Sequence, residues 1–248
     1  MEWDLTVQLI NATVQIEHSV GGERRTATGF LVDAPRPDGT PRVVLVTAAH
    51  VVEPAEGGQV RLGWRDETGD GGWRFNPLPA PLTAVDGRPY WTRHPERDVA
   101  VLEVSAPPEF ARAAIPLAWL GDDASMGEEG IGPGDELMAL GFPRGLSANR
   151  AGFPILRSGR VASWPLWPVS AFPTFLIDVA MYPGNSGGPV FTLGGARGWT
   201  HPVILGLVTQ QVELNSERLG IGVVTHAVFV RQTIALMDQG APVLAAVG

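Results

Sequence analysis

Residues 183–190 read PGNSGGPV, and this stretch says more about the fold than any other part of the chain. Three glycines surround one serine, Ser186, and glycine adopts backbone dihedral angles that are closed to other residues. Consecutive backbone N–H groups can therefore turn inward and face a single point beside the serine hydroxyl. An ordinary glycine-rich turn with an incidental serine is the simpler alternative, but it explains so long a pattern poorly. The stretch predicts an oxyanion hole beside a nucleophilic serine.

A second segment, residues 43–52, reads VVLVTAAHVV and places His50 shortly after an apolar strand. Small residues beside it leave room around the imidazole. By itself this pattern is weak, because a single histidine in apolar surroundings is more often a core residue than a catalytic one. Two interpretations of His50, as a catalytic base or as a buried structural residue, stay open at this point.

A third segment, residues 97–102, reads RDVAVL and opens on a lone carboxylate, Asp98. The strand that follows is apolar on both faces, so Asp98 is expected to be partly buried and to need a hydrogen-bond donor. An ion pair with Arg97 or Arg93, or a turn cap, would satisfy it. An imidazole N–H would satisfy it equally well.

The composition favours a β-rich globular chain. Of 248 residues, 44% are hydrophobic and 18% are charged, which allows a sizeable core. The 31 glycines and 22 prolines follow no fixed period and indicate many short elements joined by turns. Apolar runs, beginning with residues 5–16, predict strands, and only residues 48–52 and 227–239 suggest helix. We therefore expect an all-β fold of antiparallel sheets with a C-terminal helix.

A break in the strand pattern divides the chain near its middle. Residues 105–108 read SAPP, Pro116 follows, and strands resume only after the polar, glycine-rich residues 121–134. The pattern predicts two β units, residues 1–110 with His50 and Asp98 and residues 111–248 with Ser186.

Several classes of protein are excluded by composition and charge. The absence of cysteine excludes a disulfide scaffold, a thiol nucleophile and thiolate metal sites. A net charge of −8 with dispersed basic residues argues against nucleic acid as a partner. His18, His94, His201 and His226 are not spaced as metal ligands, so we expect no metal and no other cofactor. His94 is expected on a surface loop, and His226 against the final helix.

Together the three segments resemble the trypsin-like serine proteases. His50 in TAAH, Asp98 in RDVAVLEV and Ser186 in GNSGGPV follow that family's chain order of His, Asp and Ser. The resemblance implies a chymotrypsin-like fold of two six-stranded antiparallel Greek-key β-barrels that ends in a helix. It also implies that Ser186 attacks the substrate, that His50 takes and returns the proton, and that Asp98 orients the imidazole.

Further motifs are similar to the bacterial HtrA-type branch of this family, namely TGFLV at 28–32, the Gly-Asp to GFPRG segment at 134–145 and SGRVAS at 158–163. Too few residues follow Gly222 for the PDZ domain of that branch, so we expect none in this chain. The resemblance places the oxyanion hole at Gly184, Asn185 and Ser186, with the N–H groups of Gly184 and Ser186 as donors.

The resemblance also outlines the pocket for the residue before the cleaved bond. Its floor has no carboxylate to recognise Arg or Lys, and its wall has no histidine to recognise Glu. We therefore expect a pocket for a small or apolar side chain. The residues concerned are Ala180, Met181, Val208, Thr209, Gln210 and Gly222.

Four features of the sequence favour a cytoplasmic chain. Glu2 and Asp4 stand where a signal peptide would need positive charge, and no segment reaches the roughly 18 apolar residues of a membrane span. There is no cysteine, and Asn185 stands where secreted members of the family carry the aspartate that captures a new N-terminus. We expect a soluble protein of the cytoplasm that has no membrane partner.

The sequence thus predicts a serine endopeptidase that acts through an acyl-enzyme on protein or peptide substrates, after a small or apolar residue. The alternative is a trypsin-like scaffold that binds proteins and whose catalysis is lost or gated by a regulatory protein partner. Ester hydrolysis by the same triad is a third possibility.

Overall fold

The structure of the protein is a computed structural model, in which residues 2–128, 130–193 and 202–239 are described. His201 lies outside these residues. The helices in the described ranges are α1 Glu2–Ala12, α2 Ala49–Val52, α3 Pro108–Ala113, α4 Asp123–Glu128 and α5 Val228–Met237, with 3-10 turns at Glu56–Gly58, Leu117–Trp119 and Pro143–Gly145. Among the described helices, none has the length and apolar character needed to cross a membrane.

The strands of the described residues form two sheets. Those of the first sheet are β1 Thr13–Val20, β2 Glu23–Asp33, β3 Val43–Thr47, β4 Gln59–Glu67, β5 Trp73–Pro81, β6 Trp91–Arg93, β7 Ala100–Glu103 and β8 Ile115–Pro116. Those of the second are β9 Glu136–Gly141, β10 Ile155–Arg160, β11 Thr174–Ile177, β12 Pro189–Thr192, β13 Val203–Leu214 and β14 Glu217–His226.

The first sheet has the order β5-β4-β1-β2-β3-β7-β6, and β8 adds a short parallel pair with β2. Strands β3 and β7 are antiparallel neighbours, with Thr47 opposite Ala100. Because the two strands run in opposite directions, the end of β3 lies beside the start of β7. His50, just after β3, and Asp98, just before β7, are therefore brought to the same edge of the sheet.

The second sheet has the order β10-β9-β12-β13-β14-β11. Its strand β12 lies between β9 and β13, with Val190 opposite Ala139 on one side and Pro189 opposite Leu207 on the other. Ser186 is in the turn that leads into β12, so a central strand holds this turn.

One apolar core fills the first sheet and continues into the second. Leu140 and Leu207 from the second sheet belong to the same buried cluster as Leu31 and Val46 from the first. The C-terminal helix α5 adds the buried Ile234 to that cluster. A second cluster lies among the strands of the second sheet. The shared cluster explains how two sheets can hold one site between them.

The predicted all-β class is confirmed, with two sheets of mainly antiparallel strands and a C-terminal helix. Among the described residues, the first sheet has eight strands rather than the six of the expected barrel. The strand predicted for residues 5–16 is wrong, because α1 occupies residues up to Ala12. The buried Leu9 and Ala12 follow Leu5 at helical spacing, and this period outweighs the strand preference of the β-branched residues there. The division at residue 110 stays a prediction.

The buried Arg65 of β4 joins the end of α1 and the start of β1 to the loop that precedes β10. The Arg65 guanidinium donates to the carbonyl oxygens of Ile10 (3.2 Å), Asn11 (3.0 Å) and Thr13 (3.0 Å), and to that of Gly152 (3.2 Å). Burial lowers the pKa of Arg65 to about 9, so the group is still charged at neutral pH. The carbonyls at a helix C-terminus are a suitable environment for this cation.

Replacing Arg65 by Met should destabilise the fold, because it leaves these buried carbonyl oxygens without donors. We expect the free energy of unfolding to fall by roughly 2–4 kcal/mol in urea denaturation. Arg65→Lys keeps the charge but loses the planar guanidinium fork. Its free energy of unfolding should therefore lie between that of the parent and that of the Met variant. A Met variant as stable as the parent would contradict this role.

A buried histidine should make the stability pH-dependent. The His226 side chain is fully buried, with its ring centroid 4.8 Å from that of Phe175. Burial, only partly opposed by the carboxylate of Asp123, lowers the pKa of His226 to about 4. The folded chain therefore excludes a proton that the unfolded chain binds below about pH 6.5.

As the pH falls from about 6.5 to 4, this difference should lower the free energy of unfolding by up to roughly 3 kcal/mol. Above that range His226 is neutral in both states and adds no pH dependence. Urea denaturation of the parent and of His226→Leu at several pH values isolates the contribution. Parallel stability curves for the two proteins would refute it.

Candidate active site

The structure brings His50 and Asp98 into direct contact. The His50 Nδ1 and Asp98 Oδ2 atoms are 2.7 Å apart, and the backbone N–H of His50 donates to Asp98 Oδ1 at 3.0 Å. Helix α2 has no side-chain cap from Ala48, so Asp98, in the loop before β7, supplies an acceptor for its first turn. The carboxylate selects the tautomer with the proton on Nδ1, which leaves a lone pair on Nε2.

The alternatives for Asp98 that were open from the sequence are thereby decided. Arg97 pairs with Glu96 (3.6 Å) and Arg93 with Glu53 (3.0 Å). Burial of Asp98 would by itself raise its pKa, but the hydrogen bonds and the charge of His50 together hold the pKa below its ordinary value. Asp98 is therefore an ionised acceptor at neutral pH.

His94 shapes the loop that presents Asp98. The prediction that it lies on a surface loop is wrong, because its side chain is buried. Its Nδ1 accepts the N–H groups of Glu96 and Arg97 (both 3.1 Å), and its Nε2 lies 3.0 Å from Gln232 Oε1 in α5. These bonds link the Asp98 loop to the C-terminal helix, and no local pattern reveals a contact so distant in the chain.

The glycines at 184 and 187 are required by the turn that carries Ser186. Gly184 has φ 100° and Gly187 has φ 86°, a region that side chains disfavour. A Cβ at Gly184 would overlap the carbonyl oxygen of Phe142, and one at Gly187 would overlap that of Thr28. The backbone at these two positions accordingly passes closer to its neighbours than any other residue would allow.

The turn leaves two of its N–H groups available. Within the described part of the chain, neither the Gly184 N–H nor the Ser186 N–H donates to an acceptor. The Asn185 N–H, in contrast, donates to the carbonyl of Tyr182 at 3.0 Å. The Asn185 side chain is buried. Of the three predicted oxyanion-hole residues, two therefore have a free donor.

Thr28 in β2 joins this turn to the strand that leads to the histidine. Its N–H donates to the carbonyl of Ser186 (2.9 Å), and its Oγ1 donates to that of Gly184 (2.6 Å). Its own carbonyl accepts the hydroxyl of Thr47 at the end of β3 (2.8 Å), and its Oγ1 accepts the N–H of Phe142 (3.2 Å). The sequence indicated Thr28 only as part of a strand motif.

His50 and Ser186 line the same cavity, which has a volume of about 630 Å³. No hydrogen bond joins their side chains among the contacts of the described residues. In free enzymes such bonds are often long and tighten only when substrate binds. The two side chains therefore line one solvent-accessible cavity without a hydrogen bond between them.

A second cavity of about 480 Å³ also has Ser186 in its lining, but not His50. Three of the six predicted pocket residues, Met181, Val208 and Gln210, line it together with Ser186. The other three, Ala180, Thr209 and Gly222, are not part of its lining. The lining residues that the sequence reading missed are Tyr182, Pro183, Gln211 and Glu213.

Two of the residues outside the lining support it from behind. Thr209 is buried and turned away, with its Oγ1 within hydrogen-bond distance of the hydroxyl of Thr225 (3.2 Å). A Cβ at Gly222 would come within 2.7 Å of Met181 Cγ, so this glycine leaves room for the methionine. Thr209 and Gly222 thus pack behind the cavity instead of lining it, which differs from the outline drawn from the sequence.

Comparison with known proteins assigns the family. The sequence profile of the trypsin-like peptidase domain matches residues 27–196, more than half of the chain. The chain therefore belongs to the trypsin-like peptidase family of serine protease hydrolases.

Two curated relatives share the name "Probable periplasmic serine endoprotease DegP-like". The one from Ectopseudomonas mendocina (strain ymp) is 31% identical over 187 residues, which cover 73% of this chain and 31% of the relative. The one from Pseudomonas fulva (strain 12-X) is 31% identical over 179 residues, which cover 71% of this chain and 29% of the relative. The chain spans about 30% of the length of these relatives.

Solved structures agree on the fold. The HtrA-type protease AlgW with a tripeptide superposes with a TM-score of 0.63 at 18% identity, covering 96% of this chain and 64% of AlgW. The active form of the Rv3671c protease from M. tuberculosis gives 0.58 at 22% identity, covering 98% of this chain and 87% of that one. The predicted resemblance to HtrA-type trypsin-like proteases is confirmed.

The predicted cytoplasmic location is wrong. The curated relatives are named periplasmic, which points to the periplasm instead. The physical reason is that a missing cysteine removes disulfides but does not require a reducing compartment, since a β fold with a large core needs none.

Thr28→Val should destabilise the turn that carries Ser186. The substitution keeps the β-branched shape but leaves the Gly184 carbonyl and the Phe142 N–H, both buried, without their side-chain partner. We expect a loss of roughly 1–3 kcal/mol in urea denaturation. Thr28→Ser keeps the hydroxyl and loses one methyl group, so its free energy of unfolding should fall by about 1 kcal/mol. The hydroxyl has no such role if the Val variant is the more stable of the two.

Proposed function

We propose that this chain is a serine endopeptidase in which Ser186 is the nucleophile, His50 the general base and Asp98 the group that orients the imidazole. The observation that carries the proposal is the His50–Asp98 hydrogen bond of 2.7 Å at the edge of the cavity that also contains Ser186. The two free N–H groups of the serine turn supply the second element that acyl transfer needs. The family assignment supports the same reaction class.

The chemistry follows from these positions. Ser186 Oγ attacks the carbonyl carbon of the peptide bond while His50 Nε2 takes the hydroxyl proton. The carbonyl oxygen becomes an oxyanion, to which the N–H groups of Gly184 and Ser186 donate. When the C–N bond breaks, His50 returns the proton to the leaving amine. Water then enters and attacks the acyl carbon while His50 takes its proton. His50 returns this proton to Ser186 Oγ as the bond from Oγ to the acyl carbon breaks and the carboxylic acid leaves.

Asp98 stabilises each stage at which the imidazole is positive. Its carboxylate is ionised at neutral pH and holds the proton on Nδ1, so that Nε2 faces the reaction. The N–H of His50 fixes the carboxylate in turn, and His94 holds the loop behind it.

The cavity of about 480 Å³ is the proposed site for the side chain before the cleaved bond. Met181 and Val208 are buried and give it an apolar wall. The carboxylate among its described lining residues, Glu213, is paired with Arg218 at 3.2 Å. We propose that it accepts Ala, Val, Leu or Met, with each methylene of fit contributing about 1–3 kcal/mol. Preferred cleavage after Arg or Lys would contradict this assignment.

The names of the longer curated relatives support a location in the periplasm for this chain. A regulatory protein partner that gates activity is compatible with the open contact between His50 and Ser186, and would add to the proposal without replacing it.

A fluorophosphonate probe tests the proposal directly, because it labels only an activated serine. We expect the parent to be labelled and Ser186→Ala to be unlabelled, while Ser170→Ala, which removes an exposed serine, is labelled like the parent. Asp98→Asn should lower kcat for a peptide by about 10⁴-fold, since it favours the wrong imidazole tautomer. A parent that takes no label under any condition would favour the binding scaffold.

A further inference from the structure

The cavity shared by His50 and Ser186 is strongly basic. None of the described residues that line it is Asp or Glu. The chain has a net charge of −8, so the charge of this cavity is opposite in sign to that of the whole chain. The four arginines in the lining are Arg24, Arg25, Arg144 and Arg218.

The chemistry of the proposed reaction decides which part of a substrate this cavity would hold. His50 must return its proton to the leaving nitrogen, so the segment after the cleaved bond has to lie over His50. The cavity of about 480 Å³ contains Ser186 but not His50, and it therefore belongs to the acyl side. The basic cavity is accordingly on the leaving-group side.

Arg144 is the least neutralised of the four arginines. It is exposed and, within the described part of the chain, has no carboxylate partner. Its backbone has φ 54°, in the left-handed region that arginine seldom occupies. A residue held in such a conformation beside a reaction centre suggests a functional constraint. Its N–H also donates to the Pro183 carbonyl at 2.6 Å, directly before the free N–H of Gly184.

An aromatic ring holds two of these guanidinium groups in place. Arg144 lies 5.6 Å and Arg218 lies 5.8 Å from the centre of the Tyr182 ring, and Arg157 lies 5.5 Å from it. Cations at these distances are attracted to the ring face. Tyr182 thus orients Arg144 and Arg218 before any ligand arrives, which reduces the conformational entropy lost on binding.

The other three arginines are paired, but only one of the pairs is close. Arg24 is 3.9 Å from Glu17 and Arg25 is 3.9 Å from Glu23, both at the limit of an ion pair. Arg218 is 3.2 Å from Glu213. Exposed pairs of this kind contribute little, so a substrate carboxylate can compete for the guanidinium groups.

We infer that this cavity binds acidic residues on the C-terminal side of the cleaved bond, and that Arg144 is the main specificity-determining residue. The substrate class would then be polypeptides that carry Asp or Glu within the first few positions after the bond. The inference rests on the proposed function for the direction of the substrate, while the attraction of the cavity for an acidic peptide does not depend on catalysis.

Hydrolysis of two matched peptides tests the preference. Both have Ala before the cleaved bond, and one continues with Asp-Glu where the other continues with Asn-Gln. At low salt we expect kcat/KM to be about 5- to 30-fold higher for the acidic peptide, from several exposed ion pairs. The ratio should shrink at high salt, where exposed charges are screened.

Two substitutions and a control assign the effect to Arg144. Arg144→Asn removes the charge but keeps a residue that tolerates the left-handed conformation, and should lower the ratio about 3- to 5-fold. Arg144→Glu should bring the ratio to one or below. Arg112→Gln removes an exposed arginine in α3, outside the cavity, and should leave the ratio as in the parent.

Binding to the Ser186→Ala protein separates this inference from the proposed function. A fluorescent copy of the acidic peptide should bind more tightly than the neutral one, and more weakly once Arg144→Asn is added. A parent that takes the fluorophosphonate label but neither cleaves nor binds the acidic peptide preferentially overturns the inference and leaves the proposed function standing. If the parent takes no label but its Ser186→Ala form still binds the acidic peptide more tightly than the neutral one, the basic site is supported and the proposed reaction is not. Tighter binding of a single-stranded oligonucleotide than of the peptide would also overturn the assignment to acidic polypeptides.

Discussion

The hydrogen bonds of one residue, Thr28, set the geometry on which the whole site depends. Thr28 lies in the first sheet, yet its N–H and its hydroxyl both hold the turn of Ser186, which precedes a strand of the second sheet. Its carbonyl meanwhile receives the Thr47 hydroxyl at the end of the strand that leads to His50. A shift of one sheet against the other would break these buried bonds together, and their loss is costly in a dry interior.

The close approach at Thr28 is possible only because the serine turn is almost bare of side chains. A Cβ at Gly187 would overlap the Thr28 carbonyl, and one at Gly184 would overlap that of Phe142. The same backbone conformation turns the N–H groups of Gly184 and Ser186 away from internal acceptors. Tight packing and the vacant donors are therefore two consequences of one local conformation, which links the stability of the turn to its proposed chemistry.

Charge is distributed around the site in a way that the net charge conceals. Asp98 is buried enough to need the imidazole, and that contact keeps the carboxylate ionised. Arginines line the cavity that His50 also lines and that would receive the leaving segment. The site thus contains both a fixed anion in contact with the imidazole and a group of cations in the cavity beside it.

How much of the structure could be predicted from the sequence depended on how far apart the interacting residues lie in the chain. The turn of Ser186, the strand before His50 and the carboxylate before β7 could be predicted, because each is a short pattern whose meaning is local. The helix α1 was mistaken for a strand, since its β-branched residues favour strands and its burial depends on later parts of the chain. The partners of Arg65 and His94, which lie far away in the sequence, left no local signal.

The sequence by itself determined the chemical groups: a serine among glycines, a histidine and an aspartate at strand ends, and the absence of any thiol. It also determined the fold class, because patterns of apolar residues and turns are local properties of the chain. Only the tertiary structure decided which groups meet. It paired Asp98 with His50 rather than with Arg93 or Arg97, and it placed Thr28 under the serine turn. Such contacts depend on the register and packing of strands that are distant in the chain, and that information exists only once the two sheets have closed on each other.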